Sequence, residues 1–318
     1  MTDQITNTAA GKTIALTGGT GFLGGHVIDC LLNAGHNIRA LTRRSQPERE
    51  GIIWVEGSMS DTESLEKLCE GADTLIHVAG LTKALNRDIF FDVNVKGSKL
   101  VFEAAAKTGV DHVIHISSLA AREPRLSHYG ASKAGTEMLL TARKWPFSWT
   151  IVRPPAIYGP GDKEILKLLK ATKLGVLPAP GSSKNRVSMI HARDLAEAIT
   201  AMCDKSHSAS IVEIDDGKTG GYQISEIAEA VPSNSDKKTK IIPLPFWVLG
   251  SIGAVNGIFA SLVKKPAMLT LSTARYLCHP DWVVREGRRP KLANWSPKFS
   301  LKAGLEDTID WYRKNGLL

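Results

Sequence analysis

Short apolar runs and helical periodicities alternate along the first half of the chain. Aliphatic and β-branched runs at Lys12–Leu16, Asn37–Leu41, Ile52–Glu56, Thr74–Val78, His112–Ile116 and Trp149–Val152 predict strands. Between them, apolar positions recur at helical spacing near Gly24–Ala34, Asp61–Cys69, Val93–Lys107 and Tyr129–Arg143. Gly35, Gly71 and Gly109 each follow a helical stretch, where a left-handed terminator is expected. Alternation of this kind predicts parallel βαβ units, hence an α/β fold of the Rossmann type: a doubly wound parallel sheet with helices on both faces.

Beyond Arg153 the pattern loosens. Pro154, Pro155, Pro160, Pro178 and Pro180 mark loops, and Val187–Ile190 and Ile211–Ile214 read as returning strands. The expected organisation is a nucleotide-binding domain over residues 11–160, completed by about 186–216. A small C-terminal substrate-capping region would comprise residues 161–185 and 217–318. Phe246–Val263 carries no charge over 18 residues. That length admits a membrane span. Its glycines and polar residues (Gly250, Ser251, Gly253, Asn256, Gly257, Ser261), with Pro243 and Pro245 ahead of it, favour a buried helix or pocket lid instead. The lysines at 237, 238, 240, 264 and 265 keep open a face that touches membrane or a lipid-like ligand.

The stretch Thr17–His26, TGGTGFLGGH, follows the first strand and opens the first helix. Gly18 permits the tight turn, Gly21 lets backbone approach a pyrophosphate, and Gly24 allows close packing. The helix N-terminus offers unpaired N–H groups to phosphate, so the strand–glycines–helix context predicts a dinucleotide site, with Thr20, Phe22 and Leu23 along the turn. An NAD site wants a carboxylate at the end of the second strand. Here that strand runs into Arg43 and Arg44, and a guanidinium there can clamp a 2′-phosphate. The expected cofactor is therefore NADP, with NAD as the alternative.

The fifth strand ends in Ser117 and Ser118, and Tyr129 and Lys133 follow at i and i+4 on one helix face. A free phenol has a pKa near 10, and a neighbouring ammonium is expected to lower it. A serine at the strand end can hydrogen-bond the reacting oxygen. Such a trio performs acid–base work on a carbonyl/alcohol pair beside a nicotinamide.

These residues resemble the extended branch of the short-chain dehydrogenase/reductase superfamily. This is the NAD(P)-dependent epimerase/dehydratase group, which includes 3β-hydroxysteroid dehydrogenase-like and dihydroflavonol reductase-like enzymes. The matching pieces lie in family order over residues 12–200: TGGTGFLG, Asp73-Thr-Leu-Ile-His-Val-Ala79, Asn94-Val-Lys-Gly97, Ile116-Ser-Ser118, Tyr129–Lys133, Arg153-Pro-Pro-Ala-Ile-Tyr-Gly-Pro160 and His191-Ala-Arg-Asp194. Trp311–Gly316 fits more loosely. The resemblance implies Tyr129 as acid/base, Lys133 as ribose binder and tuner of the phenol, and Ser118 as the carbonyl-polarising hydroxyl. It implies Ala79 and Gly80 along the cofactor groove, and Pro154 and Ile157 near the nicotinamide. Asn94 is similar to a site-organising asparagine, and equally fits a helix N-cap. Ser58 and Met59 occupy the adenine-contacting position in place of an Asp-Leu pair. Dehydratases of this group carry an Asp-Glu pair where Leu119 and Ala120 stand, which argues against dehydration. Superfamily members often pair through helices equivalent to Val93–Lys107 and Tyr129–Arg143, so a homodimer stays open beside a monomer.

Composition narrows the remaining classes. Lysine and arginine total 40 against 32 acids, a net charge of +8. Residues 1–235 hold 26 of each sign, and residues 236–318 hold 14 basic and 6 acidic side chains. No aromatic-basic motif accompanies this excess, so nucleic acid is not the expected partner. Cys30, Cys69, Cys203 and Cys278 lie at least 39 residues apart, and only His112 and His115 pair closely among nine histidines, so no metal site is expected. Met1–Ala10 lacks the basic start and apolar core of a secretory signal, and a cytoplasmic protein is expected. The chemistry expected is hydride transfer between NADP(H) and a carbonyl or secondary alcohol of an apolar small molecule. The alternatives are an NAD-dependent nucleotide-sugar epimerase and a non-catalytic NAD(P)-binding assembly or sensor subunit. The presence of Ser118, Tyr129 and Lys133 together argues for an enzyme.

Overall fold

The computed structural model describes residues 11–318 except 174, 204–208, 233–238 and 264–268. Lysines 237, 238, 264 and 265, and the segment Met1–Ala10, lie outside the described residues. In chain order the elements begin β1 (Thr13–Thr17), α1 (Phe22–Asn33), β2 (Asn37–Thr42), β3 (Ile52–Glu56), α2 (Thr62–Cys69) and β4 (Thr74–His77). Next come α3 (Arg87–Phe90), a π-helical turn at Phe91–Lys96, α4 (Gly97–Thr108) and β5 (His112–Ile116). A 3₁₀ turn at Leu119–Arg122 leads to α5 (His128–Thr141), β6 (Ser148–Arg153) and β7 (Ala156–Tyr158). There follow α6 (Lys163–Lys173), β8 (Val176–Pro180), β9 (Arg186–Val187), β10 (Met189–His191), α7 (Ala192–Ala201) and β11 (Ser210–Glu213). The chain closes with β12 (Tyr222–Gln223), α8 (Ile224–Ala230), β13 (Lys240–Leu244), α9 (Phe246–Val263), α10 (Leu271–Leu277), β14 (Asp281–Trp282) and α11 (Leu301–Lys314).

Seven strands form one parallel sheet in the order β11-β6-β5-β4-β1-β2-β3. The alternating direction of side chains along each strand divides the core in two. Ile14, Leu16, Ile76, Ile114 and Val152 face the side covered by Val27 and Leu31 of α1 and Leu195 and Ile199 of α7. Ala15, Leu75, Val113 and Ile151 face Leu65 and Leu68 of α2, Val101 and Phe102 of α4, and Leu140 of α5. Burial on both faces explains the near-continuous apolar runs in these strands. Gly35, Gly71 and Gly109 take φ values of 78°, 68° and 79°, as their positions after the helices suggested. The strand order reverses between β1 and β4, and a crevice at such a point, beyond the carboxyl ends of the strands, is where doubly wound sheets bind ligands.

The C-terminal half is assembled differently. Val187–Ile190 is not one strand: β9 and β10 flank Ser188, and each has its own partner. The side chain of Ser188 donates to Asp215 at 2.8 Å and accepts Val284 N–H at 3.1 Å, which turns the chain out of a single ladder. The strand β9 pairs with β12 and β14, β10 with β7, and β8 with β13. A separate core of Tyr158, Ile165, Leu169, Met189, Ile227, Leu301, Leu305, Ile309 and Tyr312 holds α6, α8 and α11 together. The helix α9 corrects the expectation of a buried helix, because Trp247, Val255 and Phe259 are 72%, 53% and 61% exposed. Among the described side chains of α9, the buried ones are Leu249, Gly250 and Gly253, on one stripe. No helix among the described residues is long and apolar enough to cross a membrane.

Candidate active site

The glycine turn joins β1 to α1 at the reversal point. Gly18 has φ of 79°, and a Cβ there would stand 2.8 Å from the Ala79 nitrogen. A Cβ on Gly24 would meet the Gly18 carbonyl oxygen at 2.0 Å, so the first turn of α1 can sit on the glycine turn only without a side chain. Gly21, the N-cap, is exposed, and a Cβ on it would touch only the Gly18 oxygen, at 3.2 Å. The ends of β1 and β4 are tied by Thr17, whose hydroxyl accepts Ala79 N–H at 3.2 Å and bonds His77 Nδ1 at 2.7 Å. The exposed Thr20, half-buried Phe22 and buried Leu23 follow along the turn and the start of the helix. This fits a dinucleotide: bare backbone, free helical N–H groups and an open approach converge where a pyrophosphate would lie.

The other residues expected to bind the cofactor lie past the carboxyl ends of strands of the same sheet. Arg43 and Arg44 are exposed just past β2, and neither pairs with a carboxylate among the described residues. Ser58 and Met59 are half-buried past β3; Ser58 bonds Ser60, and Met59 packs where a Cβ on Gly97 would be. Gly80 is flanked by Asn94 Oδ1 and Lys133 Nζ, each 3.4 Å from its would-be Cβ. Pro154 is buried and its carbonyl accepts Leu119 N–H at 3.0 Å, while Ile157 is half-buried on β7.

Asn94 is not a helix cap. It lies inside the π-helical turn between α3 and α4, where its amide donates to Leu81 O at 3.0 Å and Ser132 Oγ at 2.9 Å and accepts Leu81 N–H at 2.7 Å. The predicted helix near Val93 thus starts earlier and is broken by the π turn, a device often found at functional sites because it re-aims a side chain. Here it aims Asn94 at the loop after β4 and at α5.

Ser118 and Tyr129 converge by close backbone approach. Ser127 caps α5, accepting Gly130 N–H at 2.9 Å. A Cβ on Gly130 would stand 2.6 Å from the Ala120 oxygen, so this glycine lets α5 settle against the 3₁₀ turn that Ser118 starts. The Ser118 hydroxyl, which accepts Ala120 N–H at 3.2 Å, stands close enough to the Tyr129 phenol to favour its ionised form. Lys133, one turn on, is buried and donates to Ile116 O at 2.8 Å. The electrostatics correct one expectation. Burial pushes the Tyr129 pKa above 10, with the Ser118 hydroxyl opposing, and the lysine does not pull it down. Burial also lowers Lys133 to about 8, against the pull of Glu137. Desolvation outweighs charge–charge attraction because the lysine loses more hydration than its partners return.

Several contributors were not read from the sequence. Glu137, a second turn beyond Lys133, accepts Ser117 Oγ at 2.5 Å and a bidentate pair from Arg153 at 2.8 and 2.5 Å. The spacing of Tyr129, Lys133 and Glu137, four residues apart each time, was the available signal. Arg153 also faces Glu213 at 3.6 Å, and Glu213 meets Arg122 at 3.3 Å and accepts Arg285 N–H at 2.9 Å. Beyond Ser118, Leu119, Trp282 and Val284 form an apolar cluster with Leu126 and Tyr276. Burial and the neighbouring Tyr129 phenol push the Tyr276 pKa up. Among the described residues, no group of three or more His, Cys, Asp or Glu is placed to hold a metal ion. His112 and His115 instead bond Ser148 at 2.7 Å and Thr136 at 2.8 Å.

Comparison with known proteins agrees with this geometry. Residues 14–214 match the model of the NAD dependent epimerase/dehydratase family. The chain is 38% identical to a ceramide reductase of Caulobacter vibrioides over 98% of both chains. It is 23% identical to a 4-hydroxy-2-methyl-3-oxo-4-farnesyl-3,4-dihydroquinoline-1-oxide ketoreductase of Stigmatella aurantiaca, over 92% of this chain and 94% of that one. The fold matches WbmG of Bordetella bronchiseptica, solved with NAD and UDP, with a TM-score of 0.71, 18% identity and 97% of each chain covered. The chain belongs to the NAD dependent epimerase/dehydratase family, within the extended short-chain dehydrogenase/reductase superfamily, and is an NAD(P)-dependent enzyme of that type.

Proposed function

We propose that this protein is an NADP(H)-dependent reductase of a ketone carried by an apolar lipid of the ceramide class. The observation that carries the reading is the convergence of Ser118 and Tyr129, brought together where Gly130 lets the helix settle against the 3₁₀ turn, beside an apolar cluster. A bound nicotinamide supplies the hydride in such a site. Tyr129, protonated at neutral pH, donates the proton that the carbonyl oxygen takes up. Ser118 donates a hydrogen bond to that oxygen. Lys133 and Asn94 flank Gly80 and hold the cofactor side of the crevice. The glycine turn takes the pyrophosphate, and Arg43 takes the 2′-phosphate.

The substrate class rests on three supports. Leu119 and Ala120 are 2% and 0% exposed, so no acid pair stands beside the hydroxyls for dehydration. Leu126, Tyr276, Trp282 and Val284, with the Phe90 ring 6.3 Å from that of Tyr129, give hydrocarbon walls. The relative with 38% identity is a ceramide reductase. Residues 161–185 and 217–318 are assigned to substrate binding. The four free cysteines suit the reducing cytoplasm.

The test is titration of the protein with NADPH and NADH, followed by turnover with a ketone-bearing sphingoid amide in detergent and with UDP-glucose. Consumption of NADPH with the lipid ketone alone is the expected result. Conversion of the nucleotide sugar only, or NAD retained tightly through purification, would overturn the proposal.

A further inference from the structure

An ordinary surface helix turns its charged residues outward, and α9 has none to turn. Its protein-facing stripe is narrow: Leu249 is 6% exposed, and a Cβ on Gly253 would stand 2.6 Å from the carbonyl carbon of Thr270, just ahead of α10. Half a turn away, Trp247, Ser251, Val255 and Phe259 recur every four residues and line the outward face, with Ile252 (47% exposed) beside them. Phe246 at the helix start is 43% exposed.

Two observations choose what covers this face. The flanking charge is of one sign: Lys240 and Arg275 are exposed on either side of α9 in the chain, and the sequence from 237 to 280 holds no Asp or Glu. The packing leads inward to the active site, because α10 carries Tyr276 beside Tyr129, and Ser272 Oγ accepts His128 N–H at 3.0 Å.

We infer that the outward face of α9 rests on the surface of a bilayer containing anionic lipid, its aromatic side chains among the acyl chains and its basic surroundings against the headgroups. The contact stands on exposure and charge and does not depend on which substrate the site takes. Only α9 and α10 would then lie between the bilayer and Tyr129.

The test is co-sedimentation of the full chain with vesicles of phosphatidylcholine alone and of phosphatidylcholine with phosphatidylglycerol. Partition onto the anionic vesicles is expected to exceed that onto the neutral ones at least tenfold. It should fall when salt rises from about 0.1 M to about 1 M, which shortens the screening length from about 10 Å to about 3 Å. Trp247→Ser with Phe259→Ser should lose binding at least tenfold with NADPH affinity unchanged. The milder Val255→Thr should weaken it a few-fold. Protein that stays in the supernatant with both vesicles, equal partition onto both, or variants that sediment like the parent would overturn the inference. So would a solution dimer that these substitutions convert to monomer, which would give the face to a second copy.

Discussion

The two proposed walls of the active-site crevice, one for the cofactor and one for the substrate, are held by different forces. On the cofactor side, strands β1, β4 and β5 are buried on both faces and run beside neighbours in one parallel ladder. The glycine turn is fixed by backbone-to-backbone proximity that admits no side chain. On the substrate side, β9, β12 and β14 are two residues each, drawn from segments up to about a hundred residues apart. That wall hangs on directional bonds: Ser188 to Asp215 and Val284, Arg289 to Asp215 at 2.8 Å, and Arg122 to Val283 O at 2.7 Å. Hydrocarbon burial is non-directional and tolerates substitution of similar size, whereas a buried charge network fails when one member is removed. The cofactor wall should therefore be rigid and the substrate wall the first to separate.

Tyr129→Phe asks whether the walls meet at the chemistry. It removes only the hydroxyl from a ring that keeps its contact with Phe90. Turnover should fall about 10²- to 10⁴-fold, the range for a lost acid–base group, with NADPH affinity within a factor of two or so of the parent. Stopped-flow binding and steady-state rates measure both, and an unchanged turnover would remove Tyr129 from the chemistry.

Glu137→Ala attacks the join itself. Glu137 is 5% exposed and holds Ser117 and Arg153. Its loss leaves the half-buried Arg153 guanidinium with only the longer contact to Glu213, and losing such charged hydrogen bonds costs about 2–3 kcal/mol, less than breaking a fully buried pair. Urea unfolding should report that loss. Glu137 also holds the Lys133 pKa up against burial. Removing it should move any alkaline limb of the pH–rate profile to lower pH, an effect that simple destabilisation would not produce.

The contrast between the walls also decides how much the sequence could reveal. The sheet and the positions of Gly18, Gly24, Ser118 and Tyr129 were legible because strand, turn and helix periods report local geometry. The i, i+4 spacing placed Tyr129 and Lys133 on one face correctly. Their proton affinities were not legible, because desolvation depends on what surrounds a group in space. Glu137, Glu213 and Arg122 were missed for the same reason: their partners lie up to about 160 residues away. The sequence left α9 open between a buried helix or lid and a face on membrane, because an apolar run signals burial but does not say what does the burying.

The interior of the cofactor wall can be tested by acid. His77 lies between Thr17 and Ser98 and stacks on His115 at 5.2 Å. Burial lowers His77 from 6.5 to about 3 and His115 well below 6.5. In the unfolded chain both would bind protons near pH 6.5, so the stability present above that pH is lost as pH falls towards the folded values. For His77 the shift amounts to about 2 kcal/mol near pH 5. His77→Gln should flatten the fall in melting temperature between about pH 6.5 and pH 4. An equally steep fall in the variant would shift the acid sensitivity to other groups.

The smallest effect expected lies at the rim of the same wall. Arg43 is exposed, has no carboxylate partner among the described residues and stands just past β2, where an NAD enzyme would place an acid. The strand register brings Glu56 opposite Thr42 instead, on the outer side of the sheet. A solvated guanidinium gains little from one phosphate, because water and salt compete for both. Arg43→Ala should therefore weaken NADPH binding only about tenfold, roughly 1.4 kcal/mol, and leave NADH binding unchanged, as read by fluorescence titration. Equal weakening of both nucleotides would assign Arg43 to the surface and return the choice of cofactor to Arg44 or Glu56. A rigid wall predicts that the loss stays local, with no change in the rate of the bound complex.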